Sequence, residues 1–380
     1  MIYLDNAATT FPKSEEVYQA MDKINRNAAV NAGRGSYKLA REVSILINDT
    51  KQMLRNMVNA NSNVDVVFSP SITIALNQVI FGIKFRENAN IYVSPYEHNA
   101  VARTLSLLSE QKSINVRLLP VKKEDLSIDI ESMKYMFSKE KPDAVFCTHI
   151  SNVTGYILPI KEIFAEAKYY NALTVLDSAQ SMGLIDININ SLNVDIIAFA
   201  GHKSLYGPFG VGGFINVSRV PLDVVIAGGT GSDSLNLNMP LDGEIRFEAS
   251  SSNIIAIAGL NAALKEIDIS KIYEHEMELT KLLVEKLNEI RGVKLYIPSS
   301  NCHVGIVSFS ISGMMAEDVG TILDEDFDIA VRTGYHCAPY IHELLKDEKS
   351  LGTVRVGIGR YNTKEDIIAL VDAIEEICEG

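Results

Sequence analysis

The sequence lacks long hydrophobic runs and contains little cysteine. No stretch of its 380 residues reaches the roughly 18 uninterrupted apolar residues that a membrane-spanning helix needs. The N-terminal segment MIYLDNAATT has neither the basic nor the apolar part of a secretory signal. The four cysteines are too few and too scattered for a disulfide framework, so free thiols are expected. These absences predict a soluble cytoplasmic protein with no membrane contact.

Positive charge is also scarce. The chain has 35 Lys and Arg residues against 48 Asp and Glu, a formal net charge of −13. Such a surface repels phosphate backbones, so nucleic acid is not an expected partner. Low-complexity segments and internal repeats are missing too, which argues against disorder and repeat architectures. By contrast, 47% of the residues are hydrophobic, and the chain is long enough for roughly two to three domains.

Short β-branched segments alternate with helical patterns between residues 64 and 217. This alternation predicts an α/β fold with a largely parallel sheet and helices on both faces. The strand candidates are continuously apolar, which fits burial on both sides of the sheet. The predicted strands are 65–70, 90–95, 115–120, 143–149, 173–177, 195–200 and 212–217, and the helices between them include 72–85, 100–111, 130–137 and 160–170.

The pattern changes after about residue 260. A long helix over 272–290 precedes a strand over 305–311, and further short strands near 330–333 and 354–357 lead to a final helix over 364–379. This order predicts a smaller α+β domain. We therefore expect a large domain over residues 14–255 and a small domain made of residues 1–13 and 256–380.

Polar side chains follow the predicted strands of the large domain. In a parallel sheet, ligands bind beyond the carboxyl ends of the strands. An acid, donors at a helix start and a lysine together could bind a pyridine nitrogen, a phosphate and an aldehyde. The candidates are Ser69 with Thr73, Glu97 with His98, Ser151 with Asn152, Asp177 with Gln180, and His202 with Lys203.

A cofactor site would depend most on Asp177 and Lys203. Asp177 ends the apolar segment LTVLD, where a carboxylate would keep a pyridine nitrogen protonated; a helix N-cap is the alternative. Lys203 follows the apolar segment DIIAFAGH, and apolar surroundings lower the pKa of a lysine and make it nucleophilic. A solvated surface lysine is the alternative. The flanking His202 and the glycine-rich turn 207–213 favour the site.

The segment from Ser69 to Thr73 joins a predicted strand to a predicted helix. Free backbone N–H groups at the helix start, where Ile72 and Thr73 lie, could bind phosphate, although simple N-capping is the alternative. His98 could stack on an aromatic ring and transfer protons, or could simply be packed. The glycine-rich turn 207–213 contains a proline and leads into a strand, so we reject a dinucleotide site there.

The segment VRTGYHCAP is the second informative part of the chain. Cys337 lies there among Arg332, His336 and glycine, and nearby positive charge favours a reactive thiolate. A buried, inert cysteine is the alternative. Arg355 could bind a carboxylate with two parallel hydrogen bonds, or could form a surface ion pair. The paired ligand spacing of a zinc site is missing, so no metal site is predicted.

Taken together, these motifs resemble the class V aminotransferase family of pyridoxal-phosphate (PLP) enzymes, and within it the cysteine desulfurases and selenocysteine lyases. The resemblance covers nearly the whole chain in the family's order. The matching segments are YLDNAATT, NAGRGSYKLA, EHNA, HISNVTG, LDSAQ, GHK, RTGYHCA and RVGIGRYNT. It implies PLP fold type I, with a mostly parallel seven-stranded sheet in the large domain, and a homodimer.

The resemblance also implies roles for individual residues. Lys203 would hold PLP as a Schiff base, Asp177 would pair with the pyridinium nitrogen, and Cys337 would accept sulfur. The other implied assignments are Asn152 and Gln180 to the phenolic oxygen, His98 to the ring face, Ile72, Thr73, His202 and Ser251 to the phosphate, and Asn31, Arg34, Arg332 and Arg355 to the substrate.

Several positions depart from the family pattern. Ala200 stands where a serine is usual, and Ile74 replaces a glutamate. The sequence SSSN at 250–253 replaces the Gly-Thr-Pro-Asn that touches the phosphate of the neighbouring subunit. The phosphate clamp is therefore altered, and cofactor affinity or substrate choice could differ.

These observations predict one function and leave alternatives open. A cysteine desulfurase would convert L-cysteine to L-alanine and carry the sulfur as a persulfide on Cys337, for delivery to an acceptor protein. A selenocysteine lyase, aminotransferase, epimerase or β-lyase would use the same fold. A catalytically silent binding protein that has lost its cofactor is the alternative from another class.

Overall fold

The computed structural model describes residues 1–32, 35, 37–231, 235–298 and 303–379. Its strands are β1 (Ile2–Tyr3), β2 (Asp65–Ser69), β3 (Ala89–Val93), β4 (Ile114–Leu118), β5 (Ala144–Thr148), β6 (Leu173–Asp177), β7 (Ile196–Ala200), β8 (Gly212–Asn216), β9 (Val293–Leu295), β10 (Ile306–Ile311), β11 (Ile329–Ala330), β12 (Arg332–Gly334) and β13 (Thr353–Gly357). Its α-helices are α1 (Glu15–Asn27), α2 (Lys38–Met57), α3 (Ile72–Gly82), α4 (Asn99–Gln111), α5 (Ile130–Lys139), α6 (Ile160–Tyr169), α7 (Ile189–Leu192), α8 (Ile254–Glu266), α9 (Ile269–Glu289), α10 (Ala316–Glu325), α11 (Pro339–Leu345) and α12 (Lys364–Glu379).

The central sheet has seven strands in the order β2-β8-β7-β6-β5-β3-β4. Strands β3 to β7 pair in parallel, whereas β8 is antiparallel to both β2 and β7. The turn between β7 and β8 is too short for the crossover helix that a parallel pair needs, so β8 returns antiparallel. The predicted α/β fold with a largely parallel seven-stranded sheet is confirmed.

Several strands end slightly earlier than the sequence predicts. β2 stops before Pro70, β3 before Pro95 and β4 before Pro120. Proline has no N–H for the ladder, so these positions lie outside the sheet. The predicted strand near 330–333 is in fact two strands. β11 pairs with β1, whereas β12 pairs with β13 in a four-stranded sheet of order β12-β13-β10-β9.

Apolar clusters cover the sheets. One cluster packs α5 and α6 against the central sheet, and a second packs α3 and α4 on β3, β6 and β8. A third cluster joins β10 and β13 with α9, α10 and α12. These cores hold the carboxyl ends of β2, β3, β5, β6 and β7 at one edge of the central sheet, where the predicted site lies. Within the described residues, no helix is long and apolar enough to span a bilayer.

Candidate active site

Asp177 and Lys203 lie at the carboxyl ends of the neighbouring strands β6 and β7. Asp177 is buried, and its Oδ1 accepts the Ala179 N–H at 2.9 Å in a turn. No helix follows that turn, so the N-cap alternative for Asp177 is wrong. Lys203 is half-buried, and its charge interacts with that of Asp177. We call Asp177 and Lys203 the cofactor centre.

Burial acts on the protonation of both groups of the cofactor centre. Loss of solvation lowers the pKa of Lys203, and the charges of Arg355 and Arg332 lower it further, while Asp177 opposes them. The pKa of Asp177 is raised by burial, against the Ala179 N–H and the Lys203 charge. A lysine in these surroundings is a better nucleophile and base than a solvated one.

Glu97 is a fully buried carboxyl group beside the cofactor centre, and sequence reasoning gave it no role. Its Oε1 accepts hydrogen bonds from the Ser94 hydroxyl and the Thr148 N–H, whereas its Oε2 has no partner among the described residues. Burial raises the pKa of Glu97 to about 8, and the charge of Asp177 adds to this. Glu97 is therefore largely neutral at pH 7, which avoids a second buried negative charge.

His98 is the N-cap of α4. Its Nδ1 accepts the Ala100 N–H at 3.0 Å, so the neutral ring carries its proton on Nε2. Burial, followed by the charges of Lys203, Arg332 and Arg355, lowers the pKa of His98 to about 3. The ring is thus neutral and lies close to the cofactor centre.

The start of α3 has the properties of an anion site. Ser71 caps the helix by accepting the Ile74 N–H at 3.3 Å, and the N–H groups of Ile72 and Thr73 have no acceptor among the described residues. Thr73 is exposed. Gly212 allows this approach, because a Cβ there would lie 2.7 Å from the Ile72 nitrogen. Capping and anion binding are therefore compatible in this segment.

His202 and Ser251 lie in different surroundings. The His202 ring stacks on Phe209 at 4.5 Å between centroids, and its buried Nδ1 has no partner among the described residues. Burial and the Lys203 charge lower the pKa of His202 to about 3. Ser251 accepts the Asn31 amide at 3.2 Å and lines a cavity of about 550 Å³ next to Ser69. Arg34, which was also predicted at the site, lies outside the described residues.

Asn152 and Gln180 are both buried, and their side-chain amides donate hydrogen bonds to backbone carbonyls. The Asn152 side chain donates to the His336 carbonyl at 2.7 Å, and Gln180 donates to the Ala7 carbonyl at 2.7 Å. Each contact engages one N–H of an amide that has two. The Asn152 contact connects the end of β5 to the segment that carries Cys337.

Arg355 and Arg332 face each other across β13 and β12. Arg355 is only 2% exposed and donates to Asp5 at 2.7 Å and to the Asn152 carbonyl at 2.9 Å, so the surface ion-pair alternative is wrong. Its buried Nε has no acceptor among the described residues. Two guanidinium groups beside one carboxylate make this position attractive for a further anion.

Cys337 lies on an irregular segment between β12 and α11. The residue is exposed, which contradicts the buried, inert alternative. It lines a surface groove of about 800 Å³ together with Arg332 and Arg103. On its other side this segment contacts the predicted site, because the Cys337 carbonyl accepts the N–H of Asn99, next to His98, and the His336 carbonyl accepts the Asn152 amide. Cys337 therefore lies between the outer groove and the predicted cofactor site.

The arrangement fits PLP. A buried carboxylate, an amine of lowered pKa and unpaired N–H groups at a helix start match its ring nitrogen, aldehyde and phosphate. Among the described residues, no cluster of His, Cys, Asp and Glu is suited to a metal ion. A mostly parallel sheet with these groups at one edge defines a PLP-dependent enzyme of fold type I.

The chain belongs to the class V aminotransferase family, because the family model described as "Aminotransferase class-V" matches residues 2–370. It is 33% identical over 383 residues to a probable cysteine desulfurase of Methanothermobacter thermautotrophicus, covering 99% of this chain and 94% of the relative. It is 30% identical over 390 residues to a cysteine desulfurase of Pectobacterium carotovorum, covering 99% of this chain and 93% of that relative. The apo structure of a cysteine desulfurase from Thermococcus onnurineus is similar with a TM-score of 0.91 at 28% identity, covering 100% of this chain and 95% of the other.

Proposed function

We propose that this enzyme is a cysteine desulfurase that converts L-cysteine to L-alanine and takes the sulfur onto Cys337. The names of its relatives support this activity. The observation that carries the proposal is the position of Cys337. Its thiol is exposed to a groove, and the carbonyls of Cys337 and His336 accept hydrogen bonds from Asn99 and Asn152 at the edge of the predicted cofactor site. A transaminase or epimerase has no need for a thiol in that position.

The cofactor contacts follow from the site. Lys203 would hold the aldehyde, and Asp177 would face the ring nitrogen. The remaining contacts would come from the neutral ring of His98, the amides of Asn152 and Gln180, and Ile72, Thr73, His202 and Ser251 around the phosphate. When bound, PLP supplies an electron sink for the α-carbon of the substrate.

Arg355 and Arg332 would hold the carboxylate of the substrate. The Arg355 Nε is buried without an acceptor, and Arg332 stands opposite it. Asp5 neutralises only one of the two guanidinium groups, so a carboxylate would complete the charge balance. Asn31 and Arg34 stay predicted substrate contacts; Asn31 contacts Ser251, and Arg34 lies outside the described residues.

Lys203 would act as the general base. Because burial and nearby arginines lower its pKa, its amine holds a lone pair at neutral pH more often than a solvated lysine does. The Lys203 Nζ would take the α-proton of cysteine and return a proton to the product. His98 stays neutral in this range, so it would not repel the protonated amine.

Cys337 would perform the sulfur step. Its Sγ attacks the sulfur of the substrate, an S–S bond forms, and the Cβ–S bond of the substrate breaks. The electron pair of that bond stays on Cβ, which a proton converts to the methyl group of alanine. The thiol and cysteine thus give a persulfide and alanine without an outside oxidant. We also propose a homodimer and a protein thiol that receives the sulfur.

Replacing Cys337 with serine tests the sulfur step. The Cys337→Ser variant should keep the absorbance of the lysine-bound cofactor but lose at least about 10³-fold in alanine formation from cysteine, because the acceptor nucleophile is gone. The matched control is Cys378→Ser, a half-buried thiol on α12. Unchanged alanine and sulfide formation by Cys337→Ser would refute the role of this thiol.

A further inference from the structure

The cysteine loop, residues 334–338, has an unusual backbone. Gly334, His336 and Cys337 have φ values of +96°, +46° and +58°. Non-glycine residues seldom adopt this left-handed region, so two adjacent examples need support from their surroundings. The loop contains the thiol that we propose as the sulfur acceptor, and what holds its backbone therefore determines where that thiol points.

Three consecutive carbonyl groups of the cysteine loop accept hydrogen bonds from outside it. The Cys337 carbonyl accepts the Asn99 N–H at 2.7 Å, and the His336 carbonyl accepts the Asn152 amide at 2.7 Å. The Tyr335 carbonyl contacts Nε2 of His342 at 2.9 Å. The first two donors come from the edge of the central sheet, whereas His342 comes from α11.

The contacts of His342 determine the protonation of its ring. Its Nε2 faces the Tyr335 carbonyl, and its Nδ1 lies 2.5 Å from Oδ2 of Asp347. A carbonyl can only accept hydrogen bonds, so Nε2 carries a proton and donates to Tyr335. A second hydrogen bond, between Nδ1 and the Asp347 carboxyl group, holds the other side of the ring. Both side chains are buried, at 5% and 2% exposure, so water does not compete for these contacts.

We propose that His342, held by Asp347, is a positioning residue that fixes the Tyr335 carbonyl and thereby aims the Cys337 thiol. The proposal rests on the role of Cys337 in the proposed function. His342 touches neither the thiol nor the cofactor centre in the contacts described, so it acts through the loop.

The neighbouring His336 is a second buried histidine of this segment. Its Nε2 donates to the hydroxyl and carbonyl oxygens of Thr353, while its buried Nδ1 has no partner among the described residues. Burial and the charge of Arg355 hold the pKa of His336 well below its ordinary value. Two buried histidines thus hold this segment: His336 packs the loop from within, and His342 anchors it from α11.

Nuclear magnetic resonance tests the Nε2 donor directly. In the cofactor-loaded enzyme labelled with ¹⁵N-histidine, the His342 resonances, assigned by their loss in a His342→Phe variant, should show a proton on Nε2 at neutral pH. An unprotonated Nε2 would overturn the contact with the Tyr335 carbonyl. This measurement does not depend on desulfurase activity, so it separates the present inference from the proposed function.

Replacing the pair tests its effect on the thiol. The double variant His342→Phe/Asp347→Leu removes the pair without leaving a buried charge, so its melting temperature should stay near that of the unaltered enzyme. Its kcat for alanine formation should fall about 10- to 100-fold, because the Cys337 thiol is no longer oriented toward the substrate sulfur. Its KM for cysteine should not change, and the change of cofactor absorbance on adding cysteine should keep its rate.

The control is Glu348→Gln, an exposed acid next to Asp347, which should keep the unaltered kcat. A second readout is the alkylation of Cys337 by iodoacetamide, whose rate should change in the double variant and not in the control. A stable double variant with unaltered kcat and alkylation rate would overturn the positioning role. If the double variant does not fold, the Nε2 proton of His342 in the unaltered protein still tests the hydrogen bond to the Tyr335 carbonyl on which the proposal rests.

Discussion

The cofactor centre and the cysteine loop are held in position by different kinds of structure. Asp177 and Lys203 are fixed by regular strand ends in a parallel sheet, and burial sets their protonation. Cys337 lies on irregular, exposed backbone that three separate donors hold in place. A buried site on a sheet is positioned by the fold itself. An exposed site on a loop depends on a few individual hydrogen bonds, so single changes near it should act more selectively.

The largest effect is expected at Lys203. Lys203→Ala removes both the amine that would hold the cofactor and the base that would take the α-proton, so alanine formation should fall by about 10⁴-fold. The absorbance band of lysine-bound cofactor should disappear as well. Lys281→Ala, an exposed lysine on α9, is the control and should keep both properties. A Lys203→Ala enzyme that retains the band would place the cofactor on another residue.

The pH dependence of stability sharpens the contrast, because a carboxyl group beside the buried centre has a strongly raised pKa, as does Glu276 elsewhere in the fold. Glu97 has a folded pKa of about 8 against an ordinary value of 4.5. The native state therefore binds an extra proton between these values, and the free energy of unfolding should fall as pH rises, by about 1.4 kcal/mol per pH unit. The contribution is complete below pH 4.5 and lost above pH 8.

Glu97→Gln should remove this part of the dependence, since an amide does not titrate. Chemical unfolding of the cofactor-loaded protein should be measured at several pH values. From pH 5 to pH 8, the free energy of unfolding of the variant should rise relative to that of the unaltered enzyme. Glu131→Gln, an exposed residue of α5, serves as the control and should run parallel to the unaltered curve. Parallel curves for Glu97→Gln would show that Glu97 is ionised in the native state.

The smallest effect is expected at the start of α3. Thr73→Val removes one hydroxyl from the predicted phosphate site but leaves the backbone N–H groups, so the cofactor dissociation constant should rise by about 5- to 10-fold. Asn77→Ala lies one turn further along the same helix and is the control. Fluorescence titration of the apo protein with PLP measures both. An unchanged dissociation constant for Thr73→Val would remove this hydroxyl from the site.

The sequence was sufficient to predict the central sheet and the groups at its edge, because continuous apolar strands and the residues that follow them have a strong local pattern. It did not reveal Glu97 as a neutral acid or His342 as the partner of the Tyr335 carbonyl. The first depends on burial by the surrounding elements, and the second on the way in which α11 packs against the cysteine loop. The sequence also did not reveal that two strands meet at Val331. β11 pairs with β1 and β12 pairs with β13, and both partners are distant in sequence.

The central claim is that the sulfur of cysteine passes to Cys337. Its most direct test is a single turnover of the cofactor-loaded enzyme with one equivalent of L-cysteine, followed by peptide mass mapping without reductant. The account predicts one additional sulfur atom on the peptide that contains Cys337, and none on those that contain Cys147 or Cys378. Alanine formed at the unaltered rate while Cys337 carries no extra sulfur would contradict it.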